Sequence, residues 1–123
     1  MEDSEIYINK WLSKLESKDY ADAIFEFNKT IIKYPNNAVI YLERSMAYKA
    51  QENYNKAISD LDKAIEIDPN YGKAYYIRGD VKFHLEDKSG ACQDWRAAAE
   101  LGYKESYEMT KGHCKNSNLI FYA

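Results

Sequence analysis

The histidines and cysteines of this 123-residue chain, the side chains best suited to zinc or to thiol chemistry, are His84, Cys92, His113 and Cys114. Zinc needs three or four such ligands converging on one point, and covalent catalysis needs a nucleophile beside a base. The spacing supports neither. No CxxC, HExxH, GxSxG, glycine-rich phosphate loop or EF-hand spacing occurs. His113 and Cys114 are neighbours, so on a helix they point about 100° apart and do not grip one ion. Carboxylates are plentiful, but Glu5, Glu16, Glu43, Asp60, Asp62 and Glu66 are spaced as on solvated helix faces, not as a paired acid and base. The expectation is no catalytic constellation, no metal and no cofactor.

Composition bounds what remains. Lys and Arg number 17 against 20 Asp and Glu, a net charge of −3, which lacks the basic footprint of a nucleic-acid binder. With 46% apolar residues and two prolines the chain can bury a core and fold as a single domain. Its apolar runs fall far short of the roughly 18 residues that span a membrane. The opening MEDSEIYINK is acidic where a secretory leader is basic, so a soluble, cytoplasmic chain is expected.

The elements that would position any site are legible from a repeat. Pro35 and Pro69 lie 34 residues apart, each followed by Asn. The same offset superimposes Tyr7, Tyr41 and Tyr75; Lys10, Arg44 and Arg78; Asp19, Asn53 and Asp87; Ala23, Ala57 and Ala91; and Phe27, Leu61 and Trp95. Three units follow, 4–37, 38–71 and 72–105. Within the second, Tyr41, Ser45 and Tyr48 share one helical face, and Ala57, Ile58, Leu61, Ala64 and Ile65 share another. Each unit is therefore two helices, joined by the polar turns KDY at 18–20, QENY at 51–54 and EDK at 86–88. The second helix stops before the proline, and in the third unit Gly102 takes over as a left-handed C-cap. The fold class is all-α, an α-α superhelix in which neighbouring units must stack to bury their apolar faces.

The second unit resembles the tetratricopeptide repeat, with Tyr41, Ser45, Tyr48, Tyr54, Ala57, Leu61, Ala64 and Pro69 in the places that family fills with these types. The resemblance implies a single domain over 1–114, made of three units and a capping helix at about 104–114, with a tail at 115–123. The first unit departs from the pattern at Trp11 and Lys14. The packing anchors are Tyr20, Phe27, Tyr41, Leu61, Tyr75 and Trp95, each worth roughly 1.5–3 kcal/mol if fully buried.

In that family the first helices of successive units line a concave groove for a peptide. Carried over, the lining is Glu5, Ile8, Asn9, Leu12 and Leu15, then Val39, Leu42, Glu43, Met46 and Lys49, then Lys73, Tyr76, Ile77, Asp80, Phe83 and His84. The resemblance thus implies a non-enzymatic interaction module whose partner is a protein or peptide with apolar or aromatic anchors. The subclass that clamps the C-terminal carboxylate of heat-shock chaperones uses Lys, Asn and Arg at places that here read Ile8, Leu12, Glu43, Lys73 and Ile77. Only Lys73 fits, so that partner is not expected. A second reading is structural self-assembly, a homo-oligomer built through repeat stacking or through the tail KNSNLIFYA.

The cysteines take on meaning within this frame. If the last two helices turn near Tyr103, Cys92 and Cys114 lie side by side, each 11 residues from it. The segment GACQDWRAAAELGYKESYEMTKGHC also resembles the last unit of bacterial proteins of this class, which carry cysteines in both places. That implies a disulfide and an oxidising compartment. The other reading is a plain buried thiol, because Cys92 occupies the position of Ile24 and Ile58.

Overall fold

The computed structural model describes residues 9, 10, 13 and 18–114. Every element among the described residues is helical: α1 (Tyr20–Lys33), α2 (Ala38–Ala50), α3 (Tyr54–Ile67), α4 (Gly72–His84), α5 (Lys88–Glu100) and α6 (Glu105–His113). Short polar side chains start several of them by accepting backbone N–H groups that a first turn leaves unpaired. Asp19 accepts from Asp22, Asn37 from Val39 and Asp87 from Gly90.

The turns that fold each helix pair back on itself share one backbone device. Lys18, Glu52 and Glu86, spaced 34 apart, sit at φ of 62°, 61° and 64°, in the left-handed region. After α2, the Asn53 N–H reaches the Tyr48 carbonyl at 2.8 Å, and after α4 the Asp87 N–H reaches that of Lys82 at 2.8 Å. Gly102 (φ 92°) ends α5 in the same way, with the Tyr103 N–H on the Ala98 carbonyl at 3.0 Å.

Packing runs from each helix to the next, and α2 also touches α4. Phe27, Leu61 and Trp95 are fully buried, Phe27 in a cluster with Ala23, Ile24, Ile40 and Ala47. Size is matched across the second and third pairs: Ser45 lies in the unit that uses Leu61, whereas Gly79 faces Trp95 so closely that a Cβ would stand 2.7 Å from the indole. Tyr41 is buried and Tyr20 and Tyr75 are half-buried, so the anchors are not all of equal weight. The tyrosine hydroxyls also close the loops, Tyr41 donating to the Pro35 carbonyl at 2.9 Å and Tyr75 to that of Pro69 at 3.1 Å.

Asp60 corrects the reading of the carboxylates as a solvated set. It is 4% exposed and accepts two hydrogen bonds from Arg44, at 2.8 and 2.7 Å, while a third Arg44 nitrogen donates to Asn28 on α1 at 2.8 Å. Arg78, Asp94 and Asp62 repeat the arrangement one unit later, every bond at 2.8 Å. Each arginine thus ties its own helix pair together and fastens it to the pair before. Lys10 and Glu26, 3.6 Å apart, hold the corresponding positions in the first unit. Burial raises the Asp60 pKa, and the Arg44 hydrogen bonds and charge work against that rise.

Candidate functional site

The groove residues read from the sequence fall into four groups. Val39 is exposed at 37%, and Asn9 and His84 are exposed as well. Glu43, Met46, Lys49, Lys73, Tyr76, Asp80 and Phe83 are half-buried on α2 and α4. Glu5, Ile8, Leu12 and Leu15 lie outside the described residues, as does the tail at 115–123. Leu42 and Ile77 are corrections: both were expected in the groove, and they are 0% and 4% exposed. They join Tyr41, Ala57, Leu61, Ala64, Ala74 and Val81 in one core cluster that bridges the second and third units. Branched apolar side chains between two adjacent helices gain more by filling that space than by facing a groove.

What remains is a lining of mixed character on α2 and α4, the first helices of two successive units. Met46 and Tyr76 supply the apolar part, each packed at its base against the core cluster, and the Tyr76 ring leans on Tyr103 with centroids 5.0 Å apart. Asp80 lies between two partners, the Lys49 ammonium at 3.7 Å and the Trp95 indole N–H at 3.2 Å. Burial raises the Asp80 pKa, and Lys49, Trp95 and His84 oppose the shift. Glu43 is likewise raised by burial and is held back by Lys73. Tyr71 is pushed up to about 12 by burial, with Glu43 and Asp68 adding to the rise. Lys73, the one residue matching the carboxylate-clamp pattern, therefore already acts on an acidic neighbour.

The lining ends in an aromatic cluster. Phe83 packs against Trp95 at 5.6 Å and His113 at 4.9 Å, so α6 covers part of the side chain expected to face a partner. His84 stacks on Tyr54 at 5.3 Å with the rings 7° from parallel. Behind this cluster Cys92 and Cys114 are disulfide-bonded, their Cα atoms 5.8 Å apart. Chemically the surface offers apolar contact, hydrogen bonding and a few paired charges. Among the described residues no three His, Cys, Asp or Glu side chains are grouped as a metal site, and no helix is long and apolar enough to cross a membrane.

The arginine fasteners were not singled out from sequence, although the signal was there. Arg44 and Asp60, and Arg78 and Asp94, recur together at the 34-residue offset. An acid that returns with its arginine in the next unit is a pair, whereas a solvated charge has no need to keep register.

The profile of the tetratricopeptide repeat matches residues 38–71. Human serine/threonine-protein phosphatase 5 is 35% identical over 105 residues, covering 78% of this chain and 21% of the phosphatase. The chain thus spans about a fifth of that relative's length. Among solved structures, the Sgt2 TPR domain from Aspergillus fumigatus superimposes with a TM-score of 0.84 at 25% identity, covering 97% of this chain and 83% of that one. The second TPR domain of human RPAP3, solved in complex with the HSP70 peptide SGPTIEEVD, gives a TM-score of 0.81 at 26% identity over 89% of this chain and 93% of its own.

Proposed function

We propose that this tetratricopeptide-repeat chain is a non-enzymatic protein-interaction module that holds a partner peptide or helix along the lining of α2 and α4. The observation that carries the reading is the half-buried row of Glu43, Met46, Lys49, Lys73, Tyr76 and Asp80 on two successive first helices. The peptide-bound RPAP3 domain supports it as a structural relative. The reading includes three 34-residue units closed by a capping helix. It also includes the bacterial type, on the resemblance of the segment from Gly90 to Cys114 to the last unit of bacterial members of the class.

The partner segment differs from the acidic peptide of that relative. Glu43 repels a carboxylate in a partly desolvated groove, and Ile77 is buried, so an apolar or aromatic anchor suits the Met46 and Tyr76 surface better. The test is capture from an extract of the source organism with the wild-type chain and a Met46→Gln/Tyr76→Gln variant of equal helicity. The captured protein is then titrated onto the isotope-labelled chain by NMR. Loss of capture by the variant, with amide shifts along α2 and α4, supports the groove. Equal capture by both chains, or tight binding of SGPTIEEVD, overturns the reading.

A further inference from the structure

The outer side of α1 carries an apolar pair that the fold does not require. Phe25 is 57% exposed and Ile32 is 83% exposed, on the side of the helix turned away from buried Ala23, Phe27 and Thr30. The repeat supplies its own control. At the position of Phe25 the other units place Ser59 and Gln93, and at the position of Ile32 they place Glu66 and Glu100. The solenoid is thus built with polar residues at both places, and only α1 presents apolar ones.

Phe25 and Ile32 are seven residues apart, so they form one stripe about 10 Å long. Beside it, on a single flank, run Asp22, Glu26, Lys29 and Lys33, two acids followed by two bases. Lys29 lies 4.9 Å from the Phe25 ring centroid and 3.7 Å from the Glu26 carboxylate. We propose that this face is a weak homodimer contact in which α1 packs antiparallel on α1 of a second copy. A two-fold contact must be complementary to itself. Centred near Asn28, it sets Phe25 against Ile32 of the second copy and the acidic half of each helix beside the basic half of the other. One helix face buries less than the roughly 1,200 Å² of a standard stable interface, so the affinity is micromolar or weaker. The contact uses none of the groove residues and is independent of the proposed function.

Sedimentation equilibrium of the full chain from micromolar to millimolar concentration tests it. The wild type rises toward twice the monomer mass. Phe25→Ser/Ile32→Glu, which borrows residues from the second unit, keeps its helicity and associates at least about tenfold more weakly. Asp22→Lys and Lys33→Glu each weaken association at low salt, and together they restore it. A wild type that stays monomeric overturns the proposal. If that monomer also adheres to phosphatidylserine vesicles in a way the double variant does not, the face belongs to a membrane surface instead. Association that survives Phe25→Ser/Ile32→Glu, or charge reversals that never compensate, also overturns it.

Discussion

Arg78 holds Asp94 with two hydrogen bonds of 2.8 Å and spends its remaining nitrogen on Asp62 of the preceding unit. Asp94 is 4% exposed and also meets Lys82 at 3.1 Å, so its charge is buried but well compensated. Removing Asp94 takes two of the three hydrogen bonds from Arg78 and the 3.1 Å contact from Lys82, leaving positive charge that Asp62 only partly matches. Asp94→Ala is expected to cost about 2–4 kcal/mol in urea unfolding. The double variant Arg78→Met/Asp94→Leu should lose less than the sum of its single changes, because it removes both charges together.

Gly79 and Trp95 form a size-matched pair with no slack. A Cβ at Gly79 would stand 2.7 Å from the indole, so Gly79→Ala is expected to destabilise the chain by about 1–3 kcal/mol. Gly79→Ser/Trp95→Leu rebuilds the combination found as Ser45 and Leu61 one unit earlier. It should be more stable than Gly79→Ser alone, as read by thermal unfolding.

Much of the fold was legible because a repeat compares the chain with itself. The offset located the helix pairs, the turns and the glycine that ends α5. It did not show which apolar groove positions are buried: Leu42 and Ile77 follow the helical period of a lining, but where α2 meets α4 is decided by the angle between helices, which no single-helix pattern contains. Asp60 escaped for a related reason. Its partner lies 16 residues away on another helix, outside any window used to judge a helix face.

Glu52 and Glu86 occupy left-handed backbone that a side chain resists. Glu52→Gly and Glu86→Gly are each expected to raise stability by about 0.5–1 kcal/mol, the relief of backbone strain exceeding the added freedom of the unfolded chain. Differential scanning calorimetry of the single and double variants checks both sign and additivity.

The pH dependence has a definite sign at Glu43. Burial lifts its folded pKa above the ordinary 4.5, so the folded chain holds this proton more tightly than the unfolded chain does. Its contribution to stability is fully present below 4.5 and is lost as pH rises through the folded value. Glu43→Gln should therefore be more stable than wild type near neutrality, with the gap closing on acidification below 4.5. Urea unfolding across that range measures it.

The Cys92–Cys114 bond closes a sequence separation of 22 residues. On loop entropy its reduction, or Cys92→Ser/Cys114→Ser, is expected to cost about 3 kcal/mol. Denaturation with and without a reductant reads the difference, and the serine variant should not respond to the reductant.

The same bond stands where the arginine fastener gives out. Continuing the offset from Arg44 and Arg78 leads to Gly112 on α6, and Arg96 takes the place of Asn28 and Asp62. The first junction is therefore closed by a reversible hydrogen bond from Arg44 to the neutral Asn28 amide, the second by the Arg78–Asp62 ion pair and the last by a covalent bond. In a linear array where each unit answers only to its neighbours, this gives unravelling a polarity. Under oxidising conditions the C-terminal end is stapled and opening starts from the α1 end; under reducing conditions both ends compete.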